Sequence, residues 1–204
     1  MNPTQHLVII AKAPRIGCVK TRLAFDIGAH KAWSFYRHNL NSIVNSLAKS
    51  SGWTTWLSVS PDASINKNHM WPAKVPRIPQ GLGSLGQRMD KIMQQTPIGP
   101  VVIIGADIPE IDAVHITDAF QLLGHNDVVL GPAQDGGYWL VGQRRRPRII
   151  PLFDNVRWSS PHALADTVLN IPHLASTGYA MKLSDIDDGN AYKAFIQRQH
   201  FQNS

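Results

Sequence analysis

The chain contains little cysteine and no long hydrophobic run. Its single cysteine, Cys18, excludes an internal disulfide, and a reducing cytoplasm is the simplest compartment for such a protein. No apolar run approaches the roughly 20 residues that a membrane-spanning helix needs. The apolar stretch near the N-terminus is too short for a secretion signal. We therefore predict a cytoplasmic protein without a membrane span.

Two familiar nucleotide-binding signatures are also missing. Residues 17–21, Gly-Cys-Val-Lys-Thr, lack the leading glycine and the spacing of a Walker A loop. The Rossmann glycine fingerprint is absent, which argues against a nicotinamide or flavin dinucleotide. Hydrophobic residues make up 43% and charged residues 17% of the 204 positions, values that fit a globular protein. We expect one domain that spans positions 1–204.

The net charge of +6 favours anionic partners, and the cations crowd two segments. The first segment contains Lys12, Arg15, Lys20 and Arg22. The second contains Arg144, Arg145, Arg146 and Arg148. Because the second lies in a proline-containing loop without a neighbouring motif, we interpret it as solvated surface.

Short apolar strands and amphipathic helices alternate along the chain. Buried or β-prone runs predict strands at 7–11, 53–59, 101–104, 127–130, 138–141 and 179–183. Helical spacing predicts helices at 29–48, 84–93, 111–123, 160–169 and 188–199, with Gly124 ending the third and Ser160 capping the fourth. This alternation predicts a three-layer α/β/α sandwich with a mainly parallel, mixed sheet. In such sheets ligands bind beyond the carboxyl ends of the strands, which selects the loops 12–22, 105–109, 131–137 and 184–188.

The first basic segment directly follows a predicted buried strand. Gly17 allows the backbone to turn sharply and to approach a ligand closely. Arg15 and Arg22 offer planar forks for phosphate oxygens, and Lys12 and Lys20 offer mobile point charges. Four cations in one loop repel one another, and a bound anion relieves that repulsion. We therefore predict a diphosphate-binding loop rather than an exposed basic surface.

Carboxylates follow two of the predicted strands. Asp107 stands just past a central apolar strand and is our choice for the first ligand of Mg²⁺ or Mn²⁺, since Asp112 is better placed to cap the next helix. We expect Asp185 or Asp187 to supply a second metal ligand, while Asp187 or Asp188 caps the last helix. The alternative that these three aspartates only cap and solvate stays open.

Three further features lie in or near the predicted edge loops. Asp135, before Gly136 and Gly137, has three readings: contact with a sugar or acceptor hydroxyl, action as a base, or a plain turn. Trp158 is an acceptor wall in one reading and a core anchor in the other. Arg88 lies near the start of a helix whose N-terminus is suited to an anion.

Five segments, 11–23, 83–89, 104–109, 131–142 and 185–187, resemble a bacterial family of small glycosyltransferase-like proteins known as a domain of unknown function. The first segment reads Ala-Lys-Ala-Pro-Arg-Ile-Gly-Cys-Val-Lys-Thr-Arg-Leu, and the fourth reads Gly-Pro-Ala-Gln-Asp-Gly-Gly-Tyr-Trp-Leu-Val-Gly. That family has the nucleotide-diphosphosugar transferase fold, GT-A. It is similar to the guanylyltransferases that make molybdenum cofactor or act on 2-phospholactate.

The resemblance implies roles for several of these residues. It implies that Lys20 and Arg22 bind the donor phosphates and that Asp107 binds the metal. It also implies a second metal site at Asp187, together with Asp185 or alone. Where the family has Asp-Thr-Pro this chain has Asp-Asp-Gly at 187–189, so the ligand stays open. The implied substrate contacts are Asp135, Gly136, Gly137 and Tyr138.

These observations favour an enzyme: a metal-dependent transferase with a nucleotide-activated donor and a small-molecule acceptor. Sugar transfer from a nucleotide-diphosphosugar is the first hypothesis, and nucleotidyl transfer with release of pyrophosphate is the alternative. A basic nucleic-acid-binding protein would bind with a steep salt dependence and no metal requirement, but no such motif is present. A nucleotide sensor that has lost catalysis is the remaining alternative.

Overall fold

A computed structural model describes residues 4–72 and 75–202, in which seven strands form one mixed sheet of order β3-β2-β1-β4-β6-β5-β7. The strands are β1 (His6–Lys12), β2 (Thr54–Ser60), β3 (Arg77–Pro79), β4 (Val101–Gly105), β5 (Val128–Pro132), β6 (Tyr138–Gln143) and β7 (Thr177–Tyr179). Only β6 runs against its neighbours β4 and β5, and the other paired strands are parallel. The link from β5 to β6 is too short for a crossover, so an antiparallel hairpin is the available connection.

Helices cover both faces of this sheet, as the predicted α/β/α sandwich requires. They are α1 (Thr21–Ile27), α2 (Ala29–Leu47), α3 (Leu85–Gln95), α4 (Ala113–His125), α5 (Ala163–Leu169) and α6 (Gly189–Gln202). Apolar residues of α2 and α4 pack with Leu7, Ile9 and Val102 on one face. Those of α3 pack with Val8 and Ile103 on the other. The alternation of side chains along β1 and β4 therefore supplies both cores.

Side chains cap three of these helices, and the sequence predicts a cap at Asp112 and at Asp187 or Asp188. The Ser84 hydroxyl accepts the Gln87 backbone N–H at 3.3 Å, completing a capping box at α3. The Asp112 carboxylate accepts the Val114 N–H at 2.9 Å at the start of α4. Asp188 accepts two backbone N–H groups at the start of α6. Asp107 is thus not needed as a cap.

Several predicted boundaries were wrong. The loop predicted at 12–22 ends earlier, because α1 begins at Thr21. Helix α4 continues through Gly124 to His125, since an exposed glycine is tolerated inside a helix. Helix α5 begins at Ala163, because the Ser160 hydroxyl donates to the Arg157 carbonyl within a preceding turn. The last strand lies at Thr177–Tyr179 rather than 179–183, and Leu183 contributes only an isolated bridge.

The second arginine cluster is partly structural. Arg146 and Arg148 are exposed, as predicted. Arg145, however, donates to carbonyl oxygens at the end of α3 and beyond it, namely those of Met93, Thr96, Pro97 and Gly99. Arg144 pairs with Asp127. Two of the four arginines therefore stabilise the chain around the end of α3 and the start of β5.

Among the described residues, no helix has the length and apolar character needed to cross a bilayer.

His6 gives folding stability a pH dependence. Its ring is buried, and its Nδ1 accepts the Trp56 indole N–H at 3.3 Å. Burial lowers the pKa of His6; a hydrogen bond with the Ile98 backbone opposes this shift, and the charge of Arg145 adds to it. Because the unfolded chain then binds more protons, we expect the free energy of unfolding to fall below about pH 6.5, by up to about 1.4 kcal/mol per pH unit.

Urea unfolding of native protein and His6→Asn across this pH range measures the effect. The native chain should lose more stability than His6→Asn as the pH falls. His30→Asn, which changes an exposed histidine, should retain the native slope. Equal slopes in the native and His6→Asn proteins would contradict the role of His6.

Candidate functional site

The candidate site lies where parallel strands end. β1, β4, β5 and β7 run in the same direction, so the segments after them meet at one edge of the sheet. These segments carry the predicted site residues Lys20, Asp107, Asp135, Asp185 and Asp187. The edge also opens into a cavity of about 740 Å³.

Lys20 links two of the predicted carboxylates directly. Its Nζ lies 3.1 Å from Asp107 Oδ1 and 2.7 Å from Asp187 Oδ1, and only 4% of its side chain is exposed. Lys20 stands at the start of α1 with a left-handed backbone, φ 48° and ψ 48°. Arg22, in the first turn of α1, pairs with the other oxygen of Asp187. The basic loop and both acidic segments thus form one charge cluster.

The cluster shifts the pKa values of its members. Burial opposes ionisation of Asp187, but the charges of Lys20 and Arg22 outweigh it and hold the pKa of Asp187 below its usual range. Burial opposes ionisation of Lys20 too, but the charges of Asp107 and Asp187 outweigh it and raise the pKa of Lys20. Burial, then the charge of Asp187, raises the pKa of Asp185 to about 6. Near neutral pH a cation beside Asp185 would relieve this crowding of negative charge.

The cavity wall combines carboxylates with apolar and aromatic side chains. Its charged members are Arg22, Asp107, Asp135, Asp185 and Asp187. Its other members include Ile10, Leu85, Met89, Gly105, Gly137, Tyr138, Trp139, Trp158, Ser159, Ser160 and Pro161. Met89 is buried and Leu85 is partly exposed on the side of α3 that faces the cavity. The helical spacing that predicted this helix could not show that one side opens to a cavity.

The loop between β5 and β6 presents Asp135. Its Oδ1 accepts the Gly137 N–H at 2.9 Å, so the residue does form a turn, yet its exposed side chain lines the cavity. Gly136 has φ 85°, and a Cβ there would lie 2.7 Å from Pro161 Cα. A glycine is therefore required for the loop to lie against the segment that precedes α5.

Gly136→Ala is expected to destabilise this loop. A side chain would combine backbone strain with a clash against main chain, for an expected loss of roughly 1–3 kcal/mol in unfolding free energy. Gly124→Ala is the matched control, since nothing lies within 4 Å of a Cβ built at that helical glycine. It should be neutral or stabilising by up to about 1 kcal/mol. Chemical denaturation of both variants tests this, and equal stabilities would contradict the close approach of Pro161.

Not all predicted phosphate contacts join the cluster. Lys12, the last residue of β1, and Arg15 and Gly17 in the segment after it are exposed and do not line the cavity. Arg88 likewise lies outside the lining. Its guanidinium donates to the Gly83 carbonyl at 3.0 Å and is 3.4 Å from a Gln80 oxygen. The structure therefore brings together Lys20 and Arg22, but not all four cations of the loop.

Gln80 has a structural role that the sequence does not indicate. It is buried, and its side-chain amide donates to the carbonyl oxygens of Ala11 at 3.1 Å and Ser58 at 2.8 Å, near the ends of β1 and β2. It thereby fixes the edge from which the basic loop departs. A lone glutamine after a short strand carries no sequence signal for this role.

The carboxylates suit a divalent cation whose remaining ligands come from a bound phosphate group. Among residues 4–72 and 75–202, no group of three or more His, Cys, Asp or Glu side chains is placed so that it could hold a metal ion by itself. Asp107 and Asp187 nevertheless face a common point, which the Lys20 ammonium group occupies, and Asp185 contacts Asp187. Mg²⁺ and Mn²⁺ take such oxygen donors together with substrate phosphates. The donor set therefore suits an ion that binds along with a phosphorylated ligand.

Comparison with known proteins identifies the family. Residues 43–160, more than half of the 204 positions, match the family described as uncharacterized protein conserved in bacteria (DUF2064). The chain belongs to this family. The DUF2064 chain is 28% identical to a candidate nucleotide-diphospho-sugar transferase from Desulfovibrio desulfuricans G20, with a TM-score of 0.83 over 90% of this chain and 82% of that one. A search of curated proteins found no match.

More distant structures share the fold of this DUF2064 protein. A CMP:2-keto-3-deoxy-manno-octonic acid synthetase in complex with CTP has 10% identity and a TM-score of 0.60, covering 99% of this chain and 100% of the synthetase. A Mycobacterium tuberculosis H37Rv protein in complex with manganese has 12% identity and a TM-score of 0.58, covering 97% and 100%. The predicted nucleotide-diphosphosugar transferase fold is thereby confirmed.

Proposed function

We propose that this DUF2064 protein is a metal-dependent glycosyltransferase that uses a nucleotide-diphosphosugar donor. The observation that carries the proposal is the position of Lys20, whose ammonium group lies between Asp107 and Asp187 beside the cavity. A cation so placed can bind a diphosphate on one side while two carboxylates keep it charged on the other. The similarity to a candidate nucleotide-diphospho-sugar transferase supports the same donor class.

Donor binding would use both ends of this cluster. Lys20 and Arg22 are the cations nearest to Asp187, and they would donate to the diphosphate oxygens. Asp107 and Asp187, with Asp185 as a further candidate, would hold the metal. When bound, Mg²⁺ or Mn²⁺ would act as a Lewis acid that neutralises charge on the leaving nucleoside diphosphate. Binding of a polyanion would draw Lys20 away from one of its two carboxylates.

In the transfer step Asp135 would act as the base. The acceptor hydroxyl oxygen forms a bond to the anomeric carbon as the bond from that carbon to the diphosphate oxygen breaks. The hydroxyl proton passes to the Asp135 carboxylate, which is exposed to the cavity, and the electron pair leaves with the nucleoside diphosphate. Asp135 is well suited to this because the Gly137 N–H fixes its orientation.

Nucleotidyl transfer is the second candidate, because a synthetase that binds CTP shares the fold. In that reaction an acceptor oxygen attacks the α-phosphate of a nucleoside triphosphate, and pyrophosphate leaves. The same Lys20 and Arg22 could bind the triphosphate. The two reactions therefore differ in their second product rather than in the cations they need.

A thermal-shift screen of nucleoside triphosphates and nucleotide sugars, with and without Mn²⁺, tests the proposal. We expect a nucleotide sugar to raise the melting temperature most, and only fully with Mn²⁺. Hydrolysis or transfer assays with that donor should then release nucleoside diphosphate. Release of pyrophosphate from a triphosphate would favour the second candidate, and no stabilisation by either ligand class would contradict both.

A further inference from the structure

One part of the cavity wall consists of apolar and aromatic side chains. We call it the aromatic lobe, formed by Leu85 and Met89 of α3, Tyr138 of β6 and Trp158 in the loop before α5. The rings of Trp158 and Tyr138 meet edge to face, with centroids 6.3 Å apart. Trp158 is half-buried, so it is neither a solvent-facing residue nor a fully enclosed core anchor.

The aromatic lobe is held in place by its neighbours. The Trp158 ring packs against α3 at Gly86, where a Cβ would lie 2.9 Å from Trp158 Cζ2. Its other neighbour is Phe153, with ring centroids 6.2 Å apart. The Tyr138 hydroxyl accepts from Thr167 at 3.3 Å, and burial raises the pKa of Tyr138, which stays neutral. The lobe is a preorganised, uncharged surface.

Three arginines in or near the cavity already bind other groups of the protein. Arg22 is the one cation among the described residues that line the cavity, and it pairs with Asp187 at the donor end. Arg157, adjacent to Trp158, forms a two-pronged pair with Asp166, with contacts of 2.9 and 2.7 Å. Arg88, next to Met89, donates to the Gly83 carbonyl. The other charged members of the cavity lining are all carboxylates, those of Asp107, Asp135, Asp185 and Asp187.

We infer that the acceptor is an uncharged ring compound with a free hydroxyl, whose apolar ring face stacks on Trp158. The inference rests on the proposed function and adds the class of its second substrate. An anionic acceptor would lose its hydration without gaining a cationic partner, and it would face the Asp135 carboxylate. A neutral ring gains from contact with Trp158 and Tyr138, and its hydroxyl can donate to Asp135.

Two probes that share a phenyl ring and differ in charge test this inference. Phenyl β-D-glucopyranoside offers neutral hydroxyls, whereas phenyl phosphate offers an anion. In ligand-observed NMR titrations of the full chain, we expect the glucoside to bind roughly tenfold or more tightly than phenyl phosphate. Tighter or equal binding of phenyl phosphate would overturn the inference.

Variants locate the probe on the lobe. Trp158→Ala should weaken glucoside binding roughly tenfold, while Trp158→Phe should retain most of it. Phe25→Ala, which removes an aromatic ring that is 92% exposed and outside the cavity lining, is the control and should change nothing. Unaltered glucoside binding in folded Trp158→Ala would also overturn the inference.

Leu85→Lys covers the case in which Trp158→Ala does not fold. Leu85 is 43% exposed at the start of α3, so a lysine there is tolerated and brings a cation to the lobe. We expect its preference to move towards phenyl phosphate by roughly tenfold. An unchanged preference would mean that neither probe occupies the lobe, against the inference.

The donor measurement separates this inference from the proposed function. Nucleotide-sugar stabilisation should be the same in native and Phe25→Ala proteins, because Phe25 lies outside the cavity lining. If that stabilisation is present but the probes behave against expectation, the acceptor class is wrong and the donor site stands. If it is missing in the native chain, the proposed function itself fails.

Discussion

Asp107→Asn is expected to lower metal-dependent turnover at least roughly a hundredfold while the protein stays folded. The substitution removes the charge that we propose binds the metal. It should cost little stability, because half of the Asp107 side chain is exposed and Lys20 keeps its ion pair with Asp187. Steady-state rates with the donor found in the screen, over a range of Mn²⁺ concentrations, measure the effect.

The control makes the same substitution five positions later. Asp112→Asn changes the cap of α4, and asparagine caps a helix about as well as aspartate. We expect native turnover and native thermal stability from this variant. Full activity in Asp107→Asn, with a normal metal dependence, would remove Asp107 from the mechanism. A parallel loss in both variants would point to a general effect of charge at this edge.

Lys20→Ala is expected to weaken nucleotide binding roughly tenfold to hundredfold, whereas Arg145→Ala leaves it close to native. Lys20 is the nearly buried cation of the cluster and would donate directly to phosphate. Arg145 instead donates to carbonyl oxygens after α3, so its loss should lower stability. Isothermal titration of the nucleotide and thermal unfolding of each variant separate affinity from stability.

Two further variants serve as comparisons for Lys20→Ala. Arg22→Ala should have a smaller effect on affinity, because 80% of the Arg22 side chain is exposed and its interactions are screened by solvent. Equal losses of nucleotide affinity in Lys20→Ala and Arg145→Ala would contradict the proposal that Lys20 binds the phosphates.

The sequence was sufficient to place Lys20 near Asp107. The reason is topological: each follows a buried apolar run, and the carboxyl ends of parallel strands share one edge of a sheet. Local spacing predicted Asp112 as one cap and Asp187 or Asp188 as another, since capping depends on residues two or three positions away; the structure shows Asp112 and Asp188. Local spacing and strand order thus account for the centre of the site.

Other features depend on contacts that spacing does not encode. Arg15 and Arg22 have the same chemistry in the same segment, but only Arg22 enters a helix that turns it towards Asp187. The aromatic lobe joins α3 to a loop some 70 residues later, through a glycine that admits the Trp158 ring. The interposition of Lys20 between Asp107 and Asp187 likewise required three distant segments to be placed together.

The measurement that tests the central proposal most directly is electron paramagnetic resonance of free Mn²⁺ during titration with protein. Because Lys20 occupies the point between the carboxylates, we expect weak Mn²⁺ binding alone and strong binding once a mixture of nucleoside diphosphates is added. Asp107→Asn should lose this cooperative binding. Equal Mn²⁺ binding with and without nucleotide, or native behaviour in Asp107→Asn, would contradict a shared site for phosphate and metal.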